Sequence, residues 1–256
     1  MRPAPFSFSL AEVNLLVLAA GYGVRLGPIG ERTPKALLEV GGEPVIEHVV
    51  KRFAPLAPGR RPVVVSNSKF APALNSWRED LIGRHPQIDP WLIDNGSTAP
   101  ENRLGATGDI CFAIREASLL GDDLLVVGSD NLFSHPQREF VAFARNKPAT
   151  IATATLDSEE EVKRFAAVTN TPDGRVLSFE EKPANPQTRN AGTMLYHLSA
   201  KVLPLVDEYL TGGGDPDRAG DLFAWLGSKI DTYACPLAGD WIDIGCPEAL
   251  AKARNS

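Results

Sequence analysis

Apolar residues punctuate the chain at regular intervals. Val13 and Leu15 to Ala20 form a short continuous apolar run, the length of a strand buried on both faces. Val45, Ile46, Val49, Val50 and Phe53 then recur at helical spacing. Pro55, Pro58 and Gly59 end that helix. Pro62 to Ser66 predicts a second buried strand, Ser68 to Leu81 a helix with Pro72 in its first turn, and Trp91 to Asp94 a short strand. A polar stretch from Asn95 to Asp109 leads into a helix near 105–118. Leu124 to Val127 is a third buried strand, Pro136 to Ala144 a helix and Thr150 to Leu156 a strand. Alternating strands and helices imply a mostly parallel sheet covered on both faces, an α/β/α arrangement.

The pattern then changes. Phe165 to Val168 and Arg175 to Glu180 read as two strands around the turn Thr171-Pro-Asp-Gly174. The apolar segment Ala191 to Leu198 follows. Helices are expected near 199–210 and 219–226, with a flexible glycine-rich loop at 211–217 between them. Strands at 230–235 and 240–244 and a helix at 247–253 complete the reading. Residues 13–256 are expected to form one domain, with two halves of different character meeting near residue 156. Residues 1–12 would be a disordered or loosely docked extension without the pattern of a signal peptide.

Composition narrows the classes. The 256 residues are 43% hydrophobic and 23% charged, which suffices for a core without disulfides or metals. Cys111, Cys235 and Cys246 are odd in number and make no zinc spacing. Reduced thiols in a cytoplasmic protein are the expectation. No apolar run approaches the length of a membrane helix, so no membrane partner is expected. A net charge of −6 speaks against a nucleic-acid surface. His48, His85, His135 and His197 are isolated, and neither HExxH nor Gly-x-Ser-x-Gly occurs. Zinc-protease and serine-hydrolase chemistry therefore lack support.

The candidate chemistry begins at the first strand. It runs into a loop with Gly21, Gly23 and Gly27, with Arg25 inside the loop and Pro34-Lys35 further on. Glycines let backbone N–H groups approach a phosphate chain, and two fixed cations add the charge that a triphosphate needs. The loop is not a Walker motif. It is not a dinucleotide fingerprint either, because Leu26 stands where the third glycine belongs. What is present is L-A-A-G-x-G-x-R-L, a spacer, then P-K-x-L-L-x-V-x-G-x-P-x-I.

That string resembles the signature of the sugar-1-phosphate nucleotidyltransferases. These include glucose-1-phosphate thymidylyl- and uridylyltransferases and mannose-1-phosphate guanylyltransferases. The resemblance implies a Rossmann-like, mixed but mainly parallel three-layer sheet. It also implies Mg²⁺-dependent joining of a nucleoside triphosphate and a sugar-1-phosphate, with release of pyrophosphate. Ala20, Gly21, Gly23, Arg25 and Lys35 would then hold the nucleotide, and Gly105 and Gly108 would meet its base at a helix start offering free N–H groups. Asp130 follows a buried strand in Gly-Ser-Asp, where the family usually has Gly-Asp; a turn-forming role is the plainer alternative. Asp243, in Asp240-Trp-Ile-Asp-Ile-Gly245, would share Mg²⁺ with Asp130, although its alternation with Trp241 leaves its direction open. Glu181-Lys182-Pro183 would receive the acceptor, glutamate on its hydroxyls and lysine on its phosphate. Gly192 would lie against the sugar ring or sit in a plain core strand. Arg218 would hold the sugar phosphate, though Ala219 interrupts the family spacing. By the resemblance Arg25, Lys35 and Asp130 are the catalytic candidates.

Other readings stay open. A cytidylyltransferase for a choline-, phosphonate- or cyclitol-phosphate acceptor fits the same motifs. A glycosyltransferase of similar fold would want a DxD metal motif, and Asp215-Pro-Asp217 has that spacing. A nucleotide-sensing relative without activity is disfavoured by the intact charged residues. A homo-oligomer is compatible with the sequence, which does not specify the assembly. No hexapeptide repeats follow, unlike the bifunctional acyltransferase members.

Overall fold

A computed structural model describes residues 13–255; the N-terminal extension and residue 256 lie outside the described residues. Strand β1 (Val13–Leu18) is the centre of the fold. A loop with helix α1 (Pro28–Arg32) and the ribbon β2 (Glu39–Val40) and β3 (Glu43–Pro44) leads to helix α2 (Val45–Phe53). Then come β4 (Val63–Ser66), α3 (Ala71–Arg84), β5 (Trp91–Asp94), α4 (Gly105–Glu116) and β6 (Asp123–Gly128). Strands β1, β4, β5 and β6 are all parallel to their neighbours among themselves.

After β6 come β7 (Asn131–Phe133), α5 (Arg138–Ala144), β8 (Ala149–Thr155), α6 (Glu159–Val162), β9 (Ala166–Asn170), β10 (Val176–Glu181) and β11 (Asn190–Leu198). Helices α7 (Leu203–Thr211) and α8 (Ala219–Gly227), strands β12 (Thr232–Pro236) and β13 (Trp241–Asp243), and helix α9 (Pro247–Asn255) close the chain. Strand β11 runs antiparallel beside β6, β8 and β9, so the nine-stranded sheet is mixed. Its far branches are β9–β10 and β8–β12.

The layers follow from side-chain alternation. Leu15 and Val17 of β1 and Leu125 and Val127 of β6 face α2, α3 and α5, packing on Ile46, Phe53, Leu74, Trp77 and Phe140. Leu16, Leu124 and Val126 face the other way, onto Ile110 and Ile114 of α4, Val206 of α7 and Phe223 of α8. Hence the central strands read as unbroken apolar runs. A third, smaller cluster joins Leu26, Leu38 and Val45 to Ile244, Leu250 and Ala253, and so seats α9 on the glycine loop.

Predicted elements are present with shifted ends. Helix α3 starts at Ala71, three residues later than the pattern gives, because Asn67 caps the turn through its side chain on Phe70 N at 2.9 Å. Helix α7 begins at Leu203, with Pro204 in its first turn. The loop at 211–217 is not loose along its whole length. Its carbonyls Pro216 O and Asp217 O take N–H groups of α4, and Asp217 pairs with Arg103. None of the helices described is long and apolar enough to cross a membrane.

The turn at Gly174 ties the β9–β10 ribbon to β12, where Ala234 N donates to Gly174 O at 2.7 Å. Gly174 has φ +88°, and a Cβ there would lie 2.6 Å from Phe143 Cζ and 2.7 Å from Ala234 O. Gly174→Ala is expected to destabilise the fold by about 2–4 kcal/mol, combining left-handed backbone cost with overpacking; urea unfolding midpoints measure it.

Candidate active site

The glycine loop is folded back on itself. Ala19 N donates to Val65 O at 2.9 Å, and Asn67 Nδ2 donates to Ala20 O at 2.8 Å, which pins the loop to the end of β4. Ala20 is buried, whereas Gly21 is exposed with open space where a side chain would be. Gly23 takes φ +63° and starts the 3₁₀ turn Val24–Leu26 that carries Arg25. The backbone of Gly30, in α1, packs against the Gly23 carbonyl with no room for a Cβ. This fold-back lays the stem of Lys35 against Gly23, 3.0 Å from where a Cβ would stand.

Lys35 therefore reaches the end of β6, where its Nζ lies 2.9 Å from Asp130 Oδ2. Ser129 N donates to Leu18 O at 3.0 Å, joining the ends of β1 and β6. A Cβ at Gly128 would lie 2.8 Å from Asn131 Nδ2 and 3.0 Å from Asp130 Oδ1. Gly128 is thus the glycine that makes room for the carboxylate, and the buried Ser129 does not obstruct it.

The second carboxylate arrives through a small ribbon that the sequence did not predict. Strands β7 and β13 pair antiparallel with Asn131 opposite Asp243, and Ile244 N donates to Asp130 O at 2.8 Å. Asp243 Oδ1 lies 2.6 Å from the position of an absent Cβ on Gly245, and Arg25 Nη2 lies 3.3 Å from the same point. Arg25, Lys35, Asp130 and Asp243 therefore meet at one place, at the carboxyl ends of β1 and β6.

Their electrostatics agree with this. Burial opposes the Lys35 ammonium, but Asp130 beside it outweighs burial and raises its pKa above the ordinary value. Burial likewise disfavours the Asp130 carboxylate, yet Lys35 and the Asn131 hydrogen bond hold its pKa below the usual range. Asp243 is pushed up to about 6 by burial and by the charge of Asp130. One carboxylate of the two is thus short of a counter-cation.

That imbalance bears on the implied divalent metal. Asp130 and Asp243 offer hard oxygen donors, and the Lys35 ammonium already stands on one of them as a monovalent cation would. Among the described residues no group of three or more His, Cys, Asp or Glu forms a metal cage. Two carboxylates with phosphate oxygens and water completing the shell suit Mg²⁺-like coordination, so the residues fit such an ion. Asp215 and Asp217 do not: Asp217 is held by Arg103 Nε at 2.8 Å, and Asp215 Oδ1 accepts from Asp217 N.

A second group lies along the same sheet edge. From β6 through β11 and β9 to β10, the register sets Leu195 beside Val127, Gly192 beside Ala166, and Ala166 beside Glu181. Glu181 is half-buried, which raises its pKa, with Lys182 working against the rise. Its carboxylate lies on the backbone of Gly220, where a Cβ would strike it. Lys182 has φ +48°, uncommon for a side-chain-bearing residue, and its Nζ is 3.7 Å from Glu181 Oε1. Arg218 lies 3.3 Å from both Asp215 and Asp221 carboxylates. Glu181, Lys182 and Arg218 are thus neighbours, despite the spacing break at Ala219.

Three glycines show packing as their reason. At Gly105 a side chain would run into Pro216 O and lie 2.5 Å from Asp217 Cα; at Gly108 it would be 3.1 Å from Leu104 Cβ. The N–H groups expected to be free at this helix start are taken: Thr107 N donates to Pro216 O at 2.9 Å and Ala106 N to Asp217 O. A Cβ at Gly192 would be 2.8 Å from Ile151 Cδ1 and 3.3 Å from Ala166 Cβ, which is core packing within the sheet.

The structure adds residues that sequence reasoning passed over. Arg164 Nη2 lies 3.4 Å from Cys246 Sγ, and its charge reaches Asp243. Tyr22 of the glycine loop donates to Ser97 Oγ at 3.1 Å, Ser97 Oγ donates to Asn95 Oδ1 at 2.8 Å, and Asn95 Nδ2 donates to Asp109 at 2.7 Å. The Arg164–Cys246 and Tyr22–Ser97 contacts join residues 82 and 75 positions apart, so no local signal marks them.

A parallel strand core, a glycine loop at its carboxyl edge, and carboxylates among cations define an α/β protein whose charged groups gather at the carboxyl ends of its central strands. The chain belongs to the nucleotidyl transferase family, whose sequence model matches residues 14–256. A mannose-1-phosphate guanylyltransferase catalytic subunit beta from Drosophila pseudoobscura pseudoobscura is 28% identical over 235 residues, covering 91% of this chain and 59% of that protein. A UTP–glucose-1-phosphate uridylyltransferase from Synechocystis sp. is 29% identical over 243 residues, covering 91% and 60%. The chain thus spans about three-fifths of the length of these relatives. The crystal structure of a UDP-glucose pyrophosphorylase complexed with UDP-glucose has the same fold, with a TM-score of 0.77, 18% identity, and coverage of 95% of this chain and 97% of that one.

Asp109 gives a pH test of the inner network. Burial raises its carboxyl to about 7, with the Asn95 hydrogen bond opposing and the charge of Asp217 adding to the rise. A carboxyl whose folded pKa exceeds the unfolded one favours the fold most at low pH. That stability is lost as pH rises from the ordinary carboxylate range to about 7, at up to about 1.4 kcal/mol per pH unit. Asp109→Asn keeps the acceptor for Asn95. It is expected to raise Tm more at pH 8 than at pH 5, and equal gains at both values would contradict a buried, titrating carboxyl.

Proposed function

We propose that the chain joins a nucleoside triphosphate to a sugar-1-phosphate and releases pyrophosphate. The observation that carries this reading is the convergence of Arg25, Lys35, Asp130 and Asp243 at the carboxyl ends of β1 and β6. The curated relatives act, by their names, on mannose-1-phosphate and glucose-1-phosphate, which supports a hexose-1-phosphate acceptor.

In the reaction, an oxygen of the acceptor phosphate attacks the α-phosphorus. The bond from that phosphorus to the bridging oxygen breaks, and its electrons leave on pyrophosphate. The attacking oxygen is already anionic at neutral pH, so no general base is required. The barrier is set by repulsion between anions and by alignment. Arg25 on its 3₁₀ turn neutralises the departing diphosphate, and Lys35 stabilises charge on the α-phosphate. Lys182 and Arg218 hold the acceptor phosphate, and Glu181 accepts hydrogen bonds from acceptor hydroxyls. Asp130 and Asp243 would hold Mg²⁺, which would supply Lewis-acid neutralisation of phosphate oxygens. In the free protein Lys35 pairs with Asp130.

Lys35→Ala and Asp130→Ala are each expected to lower turnover at least about 100-fold, the scale of losing one preorganised electrostatic contact, and, because each leaves a largely buried charge unpaired, to lower Tm as well while keeping a cooperative transition. Glu181→Gln should raise the acceptor KM more than it lowers kcat. Pyrophosphate release from a matrix of nucleoside triphosphates and phosphorylated acceptors measures all three. Undiminished release by Lys35→Ala or Asp130→Ala would overturn the assigned roles.

A further inference from the structure

Asp130 is not held by Lys35 alone. Its Oδ2 accepts from Lys35 Nζ at 2.9 Å, and its Oδ1 accepts from Asn131 Nδ2 at 2.9 Å. Asn131 is fully buried, and its Oδ1 accepts from Trp241 Nε1 at 2.7 Å. The direction of this relay is forced by chemistry. An indole N–H only donates and a carboxylate only accepts, so the bridging side chain must accept at one end and donate at the other. An amide does both. Aspartate at 131 could receive the indole but would turn an acceptor toward Asp130, and an aliphatic residue could do neither.

The geometry that makes the relay comes from the β7–β13 ribbon. There Trp241 lies opposite Phe133 and Asp243 opposite Asn131, so the strand that delivers Asp243 also delivers the indole. The Trp241 ring packs edge-on against Phe165 at 5.0 Å between centroids, and Lys182 N donates to Phe165 O at 2.9 Å. Gly128 leaves the space that the amide and carboxylate occupy.

We propose that Asn131 and Trp241 are positioning residues, which fix the rotation of the Asp130 carboxylate and leave the second lone pair of each of its oxygens for a divalent cation. This rests on the reading of Asp130 and Asp243 as a cation-holding pair. Outer hydrogen-bond partners of this kind set ligand orientation, and their loss commonly weakens metal binding 10- to 100-fold.

The test uses Mn²⁺ as the probe and the full chain. Water-proton relaxation measures Mn²⁺ affinity for wild type, Trp241→Phe and Asn131→Leu, alongside Tm for each. Trp241→Phe keeps an aromatic ring beside Phe165 and removes the donor, with some loss of ring volume. Asn131→Leu is close in volume and removes both the acceptor for the indole and the donor to Asp130 without adding a charge. Both variants are expected to bind Mn²⁺ about 10-fold or more weakly than wild type while retaining a cooperative thermal transition. In wild type the Trp241 indole N–H should exchange slowly with water by NMR, a reading that needs no variant. Wild-type affinity in both folded variants, or fast exchange of that indole proton, would overturn the positioning role while leaving the proposed function standing. No Mn²⁺ binding by wild type itself would instead overturn the reading of the carboxylate pair and the inference with it.

Discussion

The contact between Lys35 Nζ and Asp130 Oδ2 at 2.9 Å is the constraint from which the rest of the site follows. Two carboxylates and the Lys35 ammonium are brought to the same sheet edge with much of their hydration removed, beside the exposed Arg25. Charges in such surroundings are tolerated only when paired. Lys35 satisfies Asp130, and Asp243 is left with a raised pKa and a distant share of Arg25. The fold therefore maintains an arrangement that is electrostatically incomplete by itself. That is the condition expected of a site whose remaining charge comes with its substrates.

Holding these groups together takes three separate chain segments. The glycine loop brings Arg25 and Lys35, the end of β6 brings Asp130, and the β7–β13 ribbon brings Asp243. Each is anchored elsewhere: the loop by Asn67 and the packing of Gly23 on Gly30, the ribbon by its ladder and the Ile244 N to Asp130 O bond. Helix α9 then covers the junction through Leu250 and Ala253 on Leu26, Leu38 and Val45. A loop rich in glycine gains rigidity here from tertiary contacts that its own sequence does not supply.

The two substrate regions are also mechanically joined. Glu181 ends β10, two strands beyond β11, Lys182 follows it, and Glu181 rests on Gly220 at the start of α8. Just before α8, Pro216 and Asp217 accept N–H groups from α4, and Arg103 clamps Asp217. Residues proposed to meet the base and residues proposed to hold the acceptor thus share one short stretch of backbone. Substitutions in that stretch are placed to affect both.

Much of this was legible before any coordinates. Continuous apolar runs such as Leu15 to Ala20 and Leu124 to Val127 marked central strands, because strands buried on both faces have no polar side to show. Arg25, Lys35, Asp130, Asp243, Glu181 and Lys182 were legible because their residue types and spacing match the motif of a family to which the chain belongs. Three features were decided by tertiary structure alone. Antiparallel β11 runs through the middle of the sheet, Pro216 and Asp217 occupy the α4 N–H groups expected to be free, and the β7–β13 ribbon fixes where Asp243 points. Each joins segments of about 100 residues' separation or pairs strands by register, and no local periodicity records a partner so far along the chain. Local pattern determines which face of an element seeks the core; which distant backbone it then meets is set by the closing of the whole sheet.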